Sequence, residues 1–461
     1  MHMYDLIVIG AGPGGYTAAV MAAKSGLKTA VVEAAATGGV CLNKGCIPTK
    51  YLISEMHKYE NVQKSIASGA YSGGVTLDYN KVRRALEEKI SSLVNGIDWL
   101  LQECKVDIFR GYAEFADGTH VRISGSGQVL EARNIIIASG SRPRRLEVSG
   151  SNYSGKKRVY TTDDLFSELD HIPDSVTIIG AGAVGLELAF VYSGFGSRVT
   201  VLEQRSTLFG DIDHDIDREI MRMLNQKNIR IVMNCTIDSI FESDDGVAVF
   251  DENEDETASS EILVFAAGRI PNTEGLELHK AHVEVLNGRI SVDRNMKTSA
   301  DHIYAIGDVN GIKPLAYTAA AQAENVVSLL CGDPAQKDLD TVPVCVFTDP
   351  ETAYTGLTEK EAETKGIEIN SSRFLMTANG RSKAEDNGGF IKIIADKHTD
   401  IILGGVCVCH GASELISYIS FAVSRKMTTE EFSSVIFPHP TYSESLSEAA
   451  GLINNRCIHM L

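Results

Sequence analysis

Two cysteines five positions apart, Cys41 and Cys46 in the string GGVCLNKGCIPTK, are the residues of this 461-residue chain best suited to thiol chemistry. On a regular helix that spacing puts the Cα atoms roughly 8.6 Å apart, beyond the roughly 7 Å over which a disulfide can close. A bridge therefore requires the backbone to leave the helix between them, and Asn43 and Gly45 are residue types that permit it. A helix N-terminus, with Lys44 or Lys50 nearby, would favour the thiolate that disulfide exchange uses. Two buried structural thiols remain an equal alternative on spacing alone. His439, in PHPTYSE, is followed by Glu444, an arrangement suited to a general base whose second ring nitrogen is held by a carboxylate. Taken alone, the same histidine is more often a surface or packed residue than a catalyst.

Two glycine turns share one grammar. Tyr4 to Glu33 reads YDLIVIGAGPGGYTAAVMAAKSGLKTAVVE, and Ser175 to Glu203 reads SVTIIGAGAVGLELAFVYSGFGSRVTVLE. Each is an apolar strand, a glycine turn, a helical pattern rich in small residues, a glycine stop and a second apolar strand. Gly10, Gly12 and Gly15, like Gly180, Gly182 and Gly185, form GxGxxG between strand and helix, where backbone amides can approach a pyrophosphate with no Cβ in the way. Glu33 and Glu203 close the second strands at equal separations from the first glycines and suit a ribose hydroxyl. Glu203 would repel a 2′-phosphate, which favours NAD over NADP, although Arg205 lies two residues on. Two copies predict two dinucleotide-binding units.

The elements that must position these residues are those of a large folded protein. Hydrophobic residues make up 44% and charged residues 23%, which excludes a disordered or fibrous chain. The 43 Lys and Arg against 61 Asp and Glu leave a net charge of −18, which repels nucleic-acid backbones and anionic membranes. No apolar run approaches the roughly 18 residues of a spanning helix. The opening MHMYDLIVIGAG enters a strand without the basic region of a signal peptide, so a cytoplasmic location is expected. Nine cysteines, an odd number, argue against a secreted disulfide framework, and no metal site is assigned.

The length suggests three or four domains at roughly 100 to 200 residues each. Asn134 to Pro143 (NIIIASGSRP) and Glu261 to Asn272 (EILVFAAGRIPN) echo one another as buried strands ending in small-residue turns, so the repeated unit is a whole domain. Long helices are expected from Tyr51 to Glu103, packed on the first sheet. The acidic stretch Glu242 to Glu261 predicts a hairpin with a solvated loop. From Val342 the strands VCVFTD, GGFIKIIAD and IILGGVCV alternate with helical patterns and carry no glycine fingerprint; Cys407 and Cys409 alternate along the last of them as packing residues. The expected fold is α/β, with two Rossmann-like dinucleotide-binding domains and a separate C-terminal α+β domain.

The string GGVCLNKGCIPTK after GAGPGG resembles the active-site segment of the flavin-dependent pyridine nucleotide-disulfide oxidoreductases, and within them the dihydrolipoyl dehydrogenase branch. GAGAVGLELA with VTVLE, AAGRIPN, IYAIGDVNG, LAYTAAAQAEN, FTDPETAYTG and PHPTYSE follow in the family's order along the whole chain. The resemblance implies an FAD-binding domain at 1–147, an NAD-binding domain at 148–272, a segment at 273–341 completing the FAD site, and a dimerisation domain at 342–461. It implies a disulfide in which Cys41 meets the substrate dithiol and Cys46 lies against the flavin, with Lys50 near the flavin's reactive nitrogen and paired with Glu187. The FAD contacts it implies are Gly10, Gly12, Gly14, Gly15, Glu33, Ala113, Ser139, Gly140, Asp308, Leu315, Ala316 and Tyr317. For NAD they are Gly180, Gly182, Gly185, Glu187, Glu203 and Gly268. His439, oriented by Glu444, would act as base at the partner subunit's flavin across a homodimer.

The activity implied is oxidation of protein-bound dihydrolipoamide with reduction of NAD, serving the acyltransferase core of a 2-oxoacid dehydrogenase-type complex or a glycine-cleavage carrier protein. Glutathione-reductase-like and mercuric-reductase-like activities are the rivals within the family. The first of these usually pairs basic residues with a 2′-phosphate where Glu203 stands, and the second needs a C-terminal thiol pair where only Cys457 is present. An NADH-sensing flavoprotein without turnover is the rival from outside it. Phe437 and Tyr317 stand where relatives commonly have histidine, and Val40 where threonine is common, with shifts in flavin environment rather than loss of reaction expected.

Overall fold

A computed structural model describes residues 3–150, 158–208 and 213–460. The strand Tyr4–Ile9 shows no polar alternation because helices and strands cover both its faces, the mark of a central parallel strand. It pairs in parallel with Thr29–Glu33 and with Val129–Ile137, placing Val8 beside Val31 and Ile136. Leu6 and Val8 pack with Ala18, Ala19 and Ala22 of the helix Pro13–Lys24, while Ile7 and Ile9 pack with Phe115 and Ile303 on the other face. Each Leu, Val, Ile or Phe among them contributes about 1.5–3 kcal/mol on burial. The alanines keep that helix slim enough for the helix Ala316–Leu330 to lie beside it through Ala323 and Val326. Ile303–Ala305 pairs with Val129–Ile137 in the same seven-stranded sheet, so a segment from beyond the second fingerprint returns to complete the first unit.

The second fingerprint builds a five-stranded parallel sheet in the order Arg230–Val232, Arg198–Leu202, Ser175–Ile179, Ile262–Phe265, Val159–Thr161. The acidic stretch forms the hairpin Val247–Asp251 and Glu256–Ser260, with Ile237–Glu242 as a third antiparallel strand. The C-terminal domain is a five-stranded antiparallel sheet in the order Val344–Val346, Thr352–Gly356, Ile402–Val408, Phe390–Asp396, Ile369–Leu375. Helix Ala412–Ser424 buries Ile416 and Ile419 on this sheet, and Cys407 and Cys409 are fully buried in the same cluster. The edge strand Ile369–Leu375 (INSSRFL) escaped the sequence pattern because its polar residues mask the period; pairing with Phe390–Asp396 along its whole length fixes it.

One expectation needs correction. Of the two long helices, Tyr79–Glu103 reaches the first sheet's core through Leu101. The helix Cys46–Ala67 instead buries Leu52 and Met56 against Val191 and Phe195 of the second unit, because its apolar stripe matches the helix Ala183–Gly194 rather than a sheet. The second unit also meets the C-terminal domain through Lys392. This buried lysine on Phe390–Asp396 places Nζ 2.9 Å from Asp213, 2.5 Å from Asp215 and 3.0 Å from Glu359. Among the described residues, these three carboxylates are the one acidic group close enough to share an ion, and the ammonium stands among them. No helix among the described residues is long and apolar enough to cross a membrane.

Candidate active site

The geometric obstacle posed by the cysteine spacing is removed at Gly45. A short helix Gly39–Lys44 ends there, at φ −132°, ψ −101°, and the helix Cys46–Ala67 starts afresh. The Cα atoms of Cys41 and Cys46 thereby come to 4.7 Å, and the two form a disulfide. Asn43 stays helical and works through its side chain, donating to the carbonyls of Thr37 and Gly39. The disulfide segment is pressed onto the first glycine turn: Gly38 N–H donates to Ala11 O at 2.8 Å, and a Cβ on Gly39 would lie 2.7 Å from Gly12 Cα. Cys46, at a helix N-terminus, sits where the macrodipole favours a thiolate once the bridge opens.

One helical turn further on, Lys50 Nζ lies 2.7 Å from Glu187 Oε2. Glu187 is buried on the helix Ala183–Gly194, and its other oxygen accepts from Phe347 N–H at 3.1 Å. The Phe347 ring lies under the ammonium, with Nζ 4.0 Å from its centroid. The charge of Lys50 is thus carried to the disulfide helix by one unit, neutralised by a second and shielded by a third.

The two glycine turns are near copies in what they leave room for. A Cβ on Gly15 would fall 1.9 Å from Gly10 O, and on Gly185 1.9 Å from Gly180 O; these glycines let helix and strand close-pack. Gly10 and Gly180 are also confined, with a Cβ 2.3 Å from Ala138 O and 2.6 Å from Ala266 O. Gly12 and Gly182 differ: the first has only Gly39 Cα, at 3.8 Å, near its Cβ direction, and the second has nothing within 4 Å. An open edge of backbone amides at a helix N-terminus, with no side-chain cap on either helix, fits a dinucleotide pyrophosphate. Gly14 faces the other way, toward Ala319 at 3.2 Å, and is a packing glycine between two helices. Glu33 accepts from Ala11 N–H at 2.6 Å and Ala35 N–H at 2.8 Å, and Glu203 from Ala181 N–H at 2.7 Å and Arg205 N–H at 2.9 Å. These bonds fix each carboxylate beside its turn, and each oxygen keeps a lone pair for a ribose.

Asp308 accepts from Ser141 Oγ at 2.6 Å; Ser141 in turn receives Arg269 Nε at 2.8 Å, and Arg269 pairs with Asp163 at 2.7 Å. Ser141, Arg269 and Asp163 carry no local pattern that marks them, although Arg269 lies within AAGRIPN. Ser139 and Asn272 exchange bonds of 2.7 and 2.9 Å, and Gly140 O and Gly268 O receive Asn272 N–H and Arg144 N–H, so the two echoed turns cross and tie both units together. Ala113 is buried in the short strand Ala113–Phe115 of the first sheet. Leu315 and Ala316 open the helix Ala316–Leu330, and Tyr317 OH donates to Pro343 O at 2.6 Å, with burial pushing the phenol up. On the same helix Thr318 Oγ1 and Gln322 Nε2 are buried without a hydrogen-bond partner, groups that a polar cofactor or water would complete. Together with the glycine edge, they fit an FAD site along this face.

His439 Nδ1 lies 2.8 Å from Glu444 Oε2, and the ring is exposed, its side chain 75% accessible. Asn379 also escaped notice: its Nδ2 donates to Glu444 Oε1 at 3.2 Å, to Thr441 O at 2.9 Å and to Ser445 Oγ at 2.9 Å, fixing the carboxylate. None of the contacts of His439 and Glu444 among the described residues reaches Cys41, Cys46 or Lys50 in the same chain. Exposed Tyr418, Phe421, Val435 and Ile436 occupy the same domain, with Ile436 94% accessible. Phe437 stacks edge-on between Tyr418 and Phe432, and Val40 sits within the short helix before Cys41. The remaining thiols near chemistry are protonated at neutral pH. Burial foremost lifts Cys345 to about 11, with Lys50 opposing, and burial with the Glu448 contact lifts Cys457 to about 11.

Comparison with known proteins agrees with this architecture. The pyridine nucleotide-disulphide oxidoreductase family matches residues 4–323, and its dimerisation domain matches residues 342–450. The chain is 35% identical to a dihydrolipoyl dehydrogenase of Geobacillus stearothermophilus over 99% of its own length and 97% of the relative's. It is 36% identical to the mitochondrial dihydrolipoyl dehydrogenase of Pisum sativum over 99% and 92%. Among solved structures it superposes on the HOCl-induced flavoprotein disulfide reductase RclA of Escherichia coli with a TM-score of 0.88 at 28% identity, covering 97% of this chain and 100% of that one. It superposes on LpdA of Mycobacterium tuberculosis with a TM-score of 0.90 at 27% identity, covering 97% and 99%. A disulfide seated on the first of two dinucleotide turns, and matches that span nearly the whole chain, place the protein in the pyridine nucleotide-disulphide oxidoreductase family.

Proposed function

We propose that the protein oxidises dihydrolipoamide to lipoamide and reduces NAD⁺ to NADH, releasing one proton per turnover. The observation that carries the reading is the Cys41–Cys46 disulfide, whose leading residues Gly38 and Gly39 pack on Ala11 and Gly12 of the first glycine turn. FAD, when bound there, supplies two-electron exchange between the enzyme dithiol and NAD⁺. The residues that would hold it are those of the first glycine turn with Glu33, Asp308 and the start of the helix Ala316–Leu330; the second turn with Glu203 would hold NAD. The chain divides for this purpose into 1–147 for FAD, 148–272 for NAD, 273–341 completing the FAD site and 342–461 for dimerisation.

The protein's own groups account for the thiol chemistry. Glu444 only accepts, so His439 carries its proton on Nδ1 and offers the Nε2 lone pair to a substrate thiol. The substrate thiolate attacks Cys41 Sγ; the Cys41–Cys46 bond breaks, and Cys46 leaves as a thiolate at its helix N-terminus. The second substrate sulfur then attacks the mixed disulfide and releases Cys41, closing lipoamide. Lys50, neutralised in part by Glu187, provides the fixed positive charge that favours an electron-rich cofactor. His439 would serve the partner subunit's disulfide, a reading supported by its exposure, by the apolar side chains in its domain and by the dimerisation-domain match. The lipoyl group would arrive on an acyltransferase core or a glycine-cleavage carrier protein.

The test is NAD⁺ reduction by dihydrolipoamide, run beside NADPH oxidation by oxidised glutathione. An FAD-replete protein inert in the first assay defeats the reading. Cys46→Ser is expected to abolish turnover while the protein stays yellow.

A further inference from the structure

A second ion cluster stands beside the helices that bring Lys50 to Glu187, with one member, Glu60, on the disulfide helix. Lys227, directly after the helix His214–Gln226, places Nζ 2.7 and 2.8 Å from the two Glu60 oxygens and 2.9 Å from Asp349 Oδ2. The three side chains are mostly buried, at 21%, 12% and 27% exposure. Burial pushes the Lys227 ammonium down, and the Glu60 and Asp349 contacts more than offset it, so a full charge stands at the centre.

Each partner leads back to the Lys50 site. Glu60 lies on the same helix as Lys50, about 15 Å along its axis. Asp349 is two residues beyond Phe347, whose N–H and ring contact Glu187 and Lys50. The backbone carbonyl of Lys227 accepts from Ser193 Oγ at 3.0 Å, on the helix that carries Glu187. Beside Ser193 the two helices touch: a Cβ on Gly194 would fall 2.5 Å from Met56 Sδ and 2.9 Å from Glu60 Oε1. The contacts therefore close a ring, from Lys50 through Glu187 and Phe347 to Asp349, Lys227 and Glu60 and back along the disulfide helix.

We propose that Glu60, Lys227 and Asp349 form a positioning triad that fixes the helix Cys46–Ala67 and the segment Phe347–Asp349 against the helix Ala183–Gly194, and so sets where the Lys50 ammonium stands. An ion cluster that only stabilised the seam between units would leave Lys50 unaffected. The inference rests on the role given to Lys50 under the proposed function, and its first readout needs no substrate.

The experiment compares holoenzyme carrying Lys227→Met, Lys227→Arg and Asp349→Asn with the unaltered protein. Three quantities are read: the visible absorption maximum and midpoint potential of the bound flavin, turnover with dihydrolipoamide and NAD⁺, and melting temperature. K227M is expected to move the absorption maximum, to lower the midpoint potential because the positive charge retreats, and to cut turnover roughly 10- to 100-fold, the cost of about 1 Å of misplacement. K227R should restore all three toward the unaltered values, and D349N should fall between. A K227M protein that melts early yet keeps flavin spectrum, potential and turnover within twofold overturns the inference, as does failure of K227R to restore them. Should K227M not fold, D349N, which keeps the Glu60 contact, is read in the same way. Inertness of the unaltered enzyme toward dihydrolipoamide would instead defeat the proposed function.

Discussion

Alanine at Gly182 or Gly185, three residues apart on the second fingerprint, should produce opposite failures. At Gly185 the new Cβ would stand 1.9 Å from Gly180 O and 3.1 Å from Gly180 C, both backbone atoms, so no side chain can swing aside. Reaching an ordinary carbon–oxygen contact of about 3.2 Å means separating the helix Ala183–Gly194 from its strand by about 1.3 Å in a close-packed interior. Overpacking of this kind costs about 1–3 kcal/mol, and the rigidity of both partners puts this site at the upper end. At Gly182 the Cβ meets nothing within 4 Å, and the backbone, at φ −75°, suits any residue, so the stability cost is below about 1 kcal/mol, the loss of a good N-cap residue. That methyl would instead stand on the amide edge where a pyrophosphate must come. G182A should melt like the unaltered protein, retain FAD and raise the KM for NAD⁺ at least tenfold, about 1.4 kcal/mol. G185A should melt early. A G182A enzyme with unchanged KM would refute the assignment of this turn to NAD, and a G185A protein of unchanged stability would refute the steric reasoning.

Three further outcomes are expected. Asn379→Ala removes the amide that holds Glu444 Oε1 and should slow the dithiol-driven half-reaction roughly tenfold, about 1.4 kcal/mol and near the lower end for a hydrogen bond to a charged group; rapid-mixing kinetics at unchanged flavin content would check it. Cys345, lifted to about 11 by burial, should resist alkylation by iodoacetamide at pH 7 and react progressively as pH approaches that value, read by mass spectrometry of the holoenzyme. Lys392→Met removes the buried ammonium shared by Asp213, Asp215 and Glu359, leaving only Arg218 and Arg373 beside Asp215, and should destabilise the protein by about 3–5 kcal/mol; the loss should be partly reversed by millimolar calcium, seen as a rise in melting temperature that unaltered protein does not show.

Strand and helix assignments were readable where burial imposes a simple period. YDLIVI and SVTII announce central parallel strands because both faces are covered, and the alanines after Gly15 announce a helix that must fit closely. The period failed for INSSRFL, an edge strand whose outward residues are polar, and for the destination of the helix Cys46–Ala67, because an apolar stripe does not say which surface will cover it. The chemistry-bearing residues near a recognisable turn were legible for the same local reason. Ser141, Arg269, Asp163 and Asn379 were not, since each acts by bonding a residue distant in sequence, and a serine or asparagine in isolation has no pattern.

What is local was legible along the chain: the two GxGxxG turns, the glutamates that bond back to them, the pair of cysteines and the kind of element each stands on. These follow from short-range sterics, hydrophobic period and spacing along the chain. Only the folded chain shows that the helix breaks at Gly45 so that Cys41 and Cys46 meet, and that the segment leading into the bridge packs through Gly38 and Gly39 on Ala11 and Gly12. The Lys50–Glu187 pair, which the resemblance implied but no local pattern marks, is made by packing between distant segments, as is the outward exposure of His439. Charges and close contacts act through space, and only the packing of one unit on another tells which residues will share it.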